Sequence, residues 1–167
     1  MIEGRPGYKG PRHSARSTRQ PFSIKTQTVD GSIEWMPSRT ESTNACFSIK
    51  ARSFSEVGED QKRYDSYVLE PGAIILAHVG FLLELLPGWV AQFRTKMDLM
   101  LTNGLSVLDS QGLVENTDRS ELNVVLINNG EEDIDLNRGD VVAQMVVTKV
   151  PHVKLWHVEE ISEPPNK

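Results

Sequence analysis

The sequence predicts an all-β fold, a sandwich or barrel of short strands. Runs in which apolar and polar residues alternate recur about every ten residues. Turn signals separate these runs, namely Asp30-Gly31, Pro71-Gly72, Pro87-Gly88 and Asn129-Gly130. Regularly spaced short strands with glycine-containing turns are typical of all-β sandwiches and barrels.

The first half of the chain predicts two alternating strands and a hairpin turn. Residues Phe22–Val29 alternate with period two, and Asp30-Gly31 predicts a hairpin turn into the segment DGSIEWM. Residues Asn44–Arg52 alternate again and place Phe47 and Ile49 on one face. The polar stretch that follows, RSFSEVGEDQKRYDS, predicts a loop.

The second half predicts further strands and at most a short helix. Residues Tyr67–Trp89 read as strands joined at the Pro-Gly turns. The segment FRTKMDLML could form one or two helical turns. Residues Gly112–Gly130 predict a hairpin with a charged bend, and Asn123–Val150 predict two or three strands.

Length and composition indicate one domain. A chain of 167 residues with 38% hydrophobic and 25% charged residues is ordinary for a globular protein. The single cysteine, Cys46, excludes an internal disulfide. The apolar run Ala73–Leu86 is too short and interrupted to span a bilayer, and no signal-like segment is visible, so we predict no membrane association and a cytoplasmic or virion location.

Charge divides the chain into an arm, a body and a tail. Residues 1–20 carry five basic residues against Glu3, a net charge of +4, which leaves −9 for the remainder. We predict a basic arm at 1–20, a β domain at 21–155 and a tail at 156–167. The arm is either a disordered tail or a docking segment for an acidic partner, protein or nucleic acid. Its candidate contact residues are Arg5, Lys9, Arg12, Arg16 and Arg19.

Common catalytic and metal-binding motifs are absent from the sequence. We find no nucleophile elbow, phosphate-binding loop or zinc-protease motif. The histidines His13, His78, His152 and His157 do not fall at metal-ligand spacings, so we predict no metal site.

Four stretches in order resemble the trimeric dUTPase family. They are ACFSIKA, LEPGAIILAHVGFLLELLPGW, RTKMDLMLTNGLSV and GLVENTDRSELNVVLINNGEEDIDLNRGDVVAQMVV, spread over about two thirds of the chain. The last, with its asparagine, acidic turn, glycine-aspartate and AQ, is the nearest match. The resemblance implies a distorted β jelly roll assembled as a homotrimer. Two stretches, Ala73–Leu86 and Val141–Val147, have more apolar positions than the inner face of one domain requires. This excess favours an interface between subunits.

The phosphate-binding positions depart from the family pattern. The resemblance implies an aspartate that helps to hold magnesium on the triphosphate, and Ser48 stands there without charge. An arginine and a serine that address the phosphates are replaced by Lys96 and Met97. Gln144 matches a family position near the phosphates, whereas the simpler interpretation, which we favour from the residue alone, is an ordinary polar strand residue.

The catalytic positions depart as well. The family's water-activating aspartate corresponds to Glu115 and its sugar-packing tyrosine to Asp118, which cannot stack on deoxyribose. The glycine-rich lid of the fifth motif is absent. A related activity, dCTP deamination, needs a glutamate where Val125 stands, so it is less favoured than dUTP hydrolysis.

These departures predict a non-catalytic trimer with degenerate nucleotide and catalytic residues. Such a trimer with basic arms could decorate or cement a symmetric assembly such as a viral capsid, contacting acidic capsid subunits and needing no cofactor. Two alternatives stay open. One is a divergent dUTP diphosphatase with magnesium that uses Glu115 and Lys96, and the other is a nucleotide-binding regulator.

The arm generates a prediction. A chain that starts at Gln20 should keep its thermal midpoint and oligomeric mass, because the arm contributes almost no apolar side chains to a core. It should lose binding to the acidic partner, or bind with greater sensitivity to salt, since its cations act over a Debye length of about 8 Å. Calorimetry, mass measurement and binding at graded salt check this, and unchanged binding would make the arm a passive tail.

Overall fold

The computed structural model describes residues 22–39, 41, 44–59, 61–109 and 112–162. All five predicted arm contacts, Arg5, Lys9, Arg12, Arg16 and Arg19, lie outside these residues. The described strands are β1 Lys25–Thr28, β2 Cys46–Lys50, β3 Ser53–Ser55, β4 Ser66–Leu69, β5 Ile74–His78, β6 Phe81–Glu84, β7 Trp89–Arg94, β8 Leu105–Val107, β9 Leu113–Val114, β10 Asn123–Asn128, β11 Ile134–Asn137 and β12 Val141–Lys149. One α-helix, α1 Met97–Asn103, and a 3-10 helix, Ile33–Trp35, complete the described elements.

The strands form antiparallel sheets around one apolar core. The four-stranded sheets have the orders β2-β12-β7-β9 and β3-β5-β10-β8, and β1-β6 and β11-β4 form two-stranded sheets. Side chains from both larger sheets fill the core, including Ile49, Phe54, Ile75 and Leu126, each fully buried. The predicted all-β class is confirmed, and α1 overlaps the predicted helical segment, which ends at Leu101, and extends two residues beyond it. No helix in the described part of the chain has the length and apolarity to cross a membrane.

Two predicted hairpins are wrong. Asp30-Gly31 turns the chain into the 3-10 helix, and β1 pairs with β6 instead of the segment after the turn. The Asp30 carboxylate accepts hydrogen bonds from the Ser32 backbone N–H at 2.9 Å, Trp35 Nε1 at 3.2 Å and Arg52 Nε at 3.2 Å. The hydrogen bond from the Ser32 N–H is the main cause that lowers the pKa of Asp30, and the bonds from Arg52 and Trp35 lower this pKa further. This side-chain capping favours the helical turn over a strand.

The predicted hairpin at Gly112–Gly130 also separates into two sheets. Strand β9 pairs with β7, whereas β10 pairs with β5 and β8. The charged bend therefore crosses from one sheet to the other. The loop predicted after Arg52 contains strand β3, which pairs with β5.

The apolar stretch Ala73–Leu86 belongs mostly to the core of the chain. Ile75, Ala77, Val79 and Phe81 are each at most 1% exposed. Ile74 and Leu86, 42% and 46% exposed, are the large apolar side chains of this stretch that remain at the surface. Further exposed apolar residues occur on α1 and after β12, where residues 150–162 form no helix or strand and Leu155 is 91% exposed.

A buried amide joins three segments beside α1. Asn128 Nδ2 donates to the carbonyls of Leu69 at 2.9 Å and Glu132 at 2.8 Å, and its Oδ1 accepts from Gly130 N at 2.8 Å. The following residue, Asn129, donates its N–H to the Gly104 carbonyl at 3.0 Å. Gly104 ends α1 at φ 80°, so the end of the helix is fixed against the β10–β11 turn.

This contact predicts that Gly104→Ala is strongly destabilising. A Cβ at Gly104 would lie 2.3 Å from Gly130 N, and the positive φ adds backbone strain. Gly58→Ala is the matched control, because Gly58 has φ 92° and no atom within 4 Å of such a Cβ. In urea denaturation, the free energy of unfolding of Gly104→Ala should be about 1–3 kcal/mol lower than that of Gly58→Ala. Equal losses would contradict the close packing.

Candidate functional site

A row of polar side chains crosses three strands of the β2-β12-β7-β9 sheet. Gln144 of β12 lies opposite Ser48 of β2 on one side and Arg94 of β7 on the other. Residues directly opposite in antiparallel strands share a face of the sheet, so these three side chains form one transverse row. The next residue of each strand faces the other way, and Phe93 and Met145 are buried there. The row therefore lies on the outer face.

Lys96 extends this row beyond the end of β7. Residue Lys96 has extended backbone angles, φ −85° and ψ 119°, so alternation places its side chain on the same side as Arg94. Between them, the Thr95 carbonyl accepts a hydrogen bond from Gln144 Nε2 at 3.1 Å, and Thr95 Oγ1 accepts from Val107 N at 2.9 Å. The structure thus brings the sequence candidates Ser48, Lys96 and Gln144 together. We call Ser48, Arg94, Lys96 and Gln144 the polar row.

The two basic residues of the polar row have different partners. Lys96 forms an ion pair with Asp98, and the hydrogen bond from Lys96 lowers the pKa of Asp98. Arg94 is exposed and donates from Nη2 to Gln92 Oε1 at 3.0 Å. Arg94 was not among the site residues predicted from the sequence, although its spacing of two residues from Lys96 was a usable signal. Met97, predicted at a phosphate-binding position, is 69% exposed.

The Glu115 and Asp118 candidates lie in a tight turn. The Asp118 carboxylate accepts from the Glu115 backbone N–H at 2.9 Å, and the Glu115 carbonyl accepts from Asp118 N at 3.2 Å. Arg119 Nη1 donates to the carbonyls of Asn116 and Asp118, each at 2.7 Å. Asp118 therefore closes the turn, while the exposed Glu115 carboxylate is left at its surface.

The turn and the polar row are separated within one chain. Val114 lies opposite Ala91, three residues before Arg94, which corresponds to about 10 Å along the strand. Glu115 continues in the direction away from Arg94. The two groups of candidates therefore do not meet in a single copy of the chain.

A cavity of about 200 Å³ adjoins the turn. Its walls come from the ends of four strands and include Phe93, Val107, Asp109, Gly112, Leu113, Val114, Asn123, Val124 and Val125. Among these residues Phe93 and Val114 face the interior, whereas Leu113 lies opposite Gln92 and is 52% exposed. A larger cavity of about 440 Å³ is lined mainly by apolar side chains such as Phe22, Phe47 and Trp89, and it contains no candidate residue. Thr26 and Arg39 are the polar side chains among the residues that line this larger cavity.

The donor chemistry of the polar row does not fit a magnesium ion. Magnesium in proteins is held through one or two carboxylates together with substrate phosphates. Ser48 offers a neutral hydroxyl, and the Gln144 amide nitrogen is bonded to Thr95. The nearby carboxylate of Asp98 is paired with Lys96. Within the described ranges, no three His, Cys, Asp or Glu side chains are grouped as metal ligands.

Comparison with known proteins supports the resemblance in the motifs. The family model for dUTPase matches residues 98–166. The deoxyuridine 5'-triphosphate nucleotidohydrolase of Alkaliphilus metalliredigens is 35% identical over 108 residues, covering 65% of this chain and 75% of the relative. The enzyme of the same name from Neorickettsia sennetsu is 40% identical over 98 residues, covering 59% and 66%. For other curated relatives, this chain covers as little as 61% of the relative's length.

Solved structures support the fold. The dUTPase from phage phi11 of S. aureus matches with a TM-score of 0.67 and 17% identity, covering 84% of this chain and 98% of that one. The Staphylococcus bacteriophage 80alpha dUTPase matches with a TM-score of 0.68 and 15% identity, covering 84% and 99%. The predicted dUTPase-type all-β fold is confirmed.

These relatives overturn the predicted function. The prediction of a non-catalytic structural protein that decorates a capsid or virion is wrong, because the similar curated proteins are named as nucleotidohydrolases. The error came from judging each altered residue against the family pattern. Ser48, Gln144 and the Thr95–Lys96 segment nevertheless keep a common location, which a residue-by-residue comparison could not reveal.

The Thr95 bond to β8 yields a prediction. Thr95→Val removes the acceptor of the Val107 N–H, and Val107 is only 5% exposed, so the unpaired donor should cost about 1–3 kcal/mol. Thr95→Ser retains the hydroxyl and should stay within about 1 kcal/mol of the wild type. Chemical denaturation measures both variants, and a Thr95→Val chain as stable as wild type would refute the role of this bond.

Proposed function

The chain belongs to the dUTPase family, and from this premise we propose that it hydrolyses deoxyuridine triphosphate to the monophosphate and diphosphate. The polar row binds the phosphates, the cavity beside the β9 turn holds the nucleoside, and Glu115 is the general base. The alternative considered from sequence, a divergent dUTP diphosphatase, is thus the function that we favour.

One observation carries this proposal. Gln144 Nε2 donates to the Thr95 carbonyl at a point where Gln144 also lies opposite Ser48. Two family positions that are far apart in sequence, Ser48 and Gln144, therefore converge, and Lys96 at a third adds a cation beside them. Hydroxyl, amide and cationic groups together form a surface suited to phosphate oxygens. Lysine contributes a point charge to this surface, without the bidentate geometry of arginine.

We further propose that the site is completed by a second copy of the chain, within a homotrimer. The β9 turn carries Glu115 away from Arg94, beginning three residues, about 10 Å, farther along β7. This separation within one copy favours a second copy as the source of one of the two groups. A closed ring in which the polar row of one copy meets the turn of the next would give three equivalent sites.

The reaction uses the groups in the following order. Glu115 accepts a proton from a water molecule, and the water oxygen forms a bond to the α-phosphorus. The bond between that phosphorus and the bridging oxygen to the β-phosphorus breaks, and diphosphate leaves with the electron pair. Lys96 stabilises the charge that develops on the phosphate oxygens, and the cavity orients the nucleoside. Asp118 takes no part in proton transfer here, because it holds the turn that carries Glu115.

The activity is tested with dUTP. The wild-type chain should release diphosphate, and Glu115→Gln should lower kcat by about 100-fold or more, because general base catalysis contributes 10²- to 10⁴-fold. Glu131→Gln, an exposed carboxylate in the β10–β11 turn, is the matched control and should retain wild-type turnover. Binding of dUTP without turnover by the wild-type chain would exclude the hydrolytic function.

The shared site is tested with mixed subunits. Lys96→Ala and Glu115→Gln chains should each be nearly inactive, whereas trimers formed from an equal mixture should recover about one quarter of wild-type activity. Recovery arises because some sites combine Lys96 of one copy with Glu115 of another. No recovery from mixed trimers would place both residues in one chain's site and contradict the arrangement.

A further inference from the structure

A buried histidine is connected to the wall of the smaller cavity by hydrogen bonds. His78 of β5 is only 1% exposed. Its Nε2 lies 2.9 Å from Ser55 Oγ, and its Nδ1 lies 2.8 Å from Asn123 Oδ1. Ser55 is fully buried, whereas Asn123 is exposed and lines the cavity of about 200 Å³. The three side chains therefore form a hydrogen-bonded series from a buried position to the cavity wall.

The register of the β3-β5-β10-β8 sheet fixes the place of His78. This residue lies opposite Asn123 of β10 on one side and opposite Ser53 of β3 on the other. Residues directly opposite in antiparallel strands share a face, and alternation places Ser55 on the same face as Ser53. The His78 carbonyl also accepts a hydrogen bond from Arg52 N at 2.7 Å. The imidazole is therefore held by its backbone and by both of its ring nitrogens.

These hydrogen bonds determine which end of the Asn123 amide is offered to the cavity. A carbonyl oxygen only accepts, so His78 Nδ1 carries the proton that it donates to Asn123 Oδ1. In a neutral imidazole Nε2 is then an acceptor, and the Ser55 hydroxyl donates to it. Because Oδ1 is turned towards His78, the N–H donors of Nδ2 are the end of the amide that Asn123 offers to a ligand.

We propose that His78 is a positioning residue that holds the Asn123 amide as a donor, so that the cavity selects a pyrimidine base with a carbonyl group over one with an amino group. This inference rests on the proposed function, since it concerns the base of the same nucleotide. Uracil carries a carbonyl oxygen, O4, where cytosine carries the amino group N4. Asn123 Nδ2 donates to the carbonyl oxygen, whereas an amino group would place N–H against N–H. His78 acts through Asn123 and does not contact the nucleotide.

Calorimetry with the α,β-imido analogues of dUTP and dCTP tests the proposal on the full chain. The wild-type chain should bind the dUTP analogue about tenfold more tightly or better, the usual effect of one well-placed base contact. Asn123→Asp keeps an acceptor for His78 but offers the cavity an oxygen, so the ratio of the two Kd values should shift about tenfold or more towards dCTP. The ratio cancels the repulsion between the new charge and the triphosphate, which both analogues share.

Asn44→Asp is the matched control for Asn123→Asp. It makes the same change at an exposed position before β2, which lies at the opposite edge of its sheet from β9. This variant should keep the wild-type ratio of Kd values. Circular dichroism verifies that each variant is folded.

Two variants of His78 separate positioning from a purely structural role. His78→Gln retains an N–H donor for Asn123 and should keep the wild-type ratio, whereas His78→Leu releases the amide and should reduce the ratio to about threefold or less. A purely structural role would weaken both analogues equally and leave the ratio unchanged.

Nuclear magnetic resonance of the wild-type chain tests the proton position directly. A long-range ¹H–¹⁵N spectrum, with the His78 signals assigned by their loss in His78→Gln, should show the proton on Nδ1. A proton on Nε2 alone, or wild-type ratios in both Asn123→Asp and His78→Leu, would overturn the inference, while release of diphosphate from dUTP by the wild-type chain would leave the proposed function intact. No binding of either analogue by the wild-type chain would overturn both.

Discussion

The fully buried side-chain amide of Asn128 is the interaction on which the arrangement of this fold depends. Its two N–H donors reach the carbonyls of Leu69 and Glu132, and its oxygen accepts from Gly130. The backbone of Asn128 also pairs with the Pro-Gly turn before β5, through Gly72 N and the Ala73 carbonyl. A buried polar group must be satisfied in this way, and only a primary amide offers both donors and an acceptor in so small a volume.

The order imposed by Asn128 extends to the candidate site through α1. The turn after Asn128 contacts Gly104 at the end of the helix, and the segment before the helix carries Thr95 and Lys96. Thr95 is in turn bonded to β8 and to Gln144 of β12. The polar row is therefore held by two hydrogen bonds between side chains and backbone and, through α1, by the backbone bond from Asn129 to Gly104. Such preorganisation limits the conformational entropy that ligand binding has to remove.

The electrostatics of the site reflect exchanges of charge among neighbouring positions. Asp98 pairs with Lys96, Arg94 is bonded to the neutral Gln92 side chain, and Ser48 in the same row carries no charge. Comparison of single positions with a family pattern reads these changes as losses and predicts an inactive protein. When the strands are placed in register, the same changes form a consistent cationic surface, because charge interactions depend on distance between side chains and not on residue identity alone.

The sequence by itself determined the all-β class, the Pro-Gly turns, the short helix and the family resemblance, because alternation and turn chemistry act over a few residues. It also predicted Ser48, Lys96, Gln144 and Glu115 as candidate site residues. The sequence did not predict the strand partners. Strand β1 pairs with β6, and the two strands of the expected hairpin at Gly112–Gly130 join different sheets. Only the tertiary structure decided that Arg94 joins the polar row and that Glu115 lies apart from it, since pairing between distant segments depends on burial of the whole core.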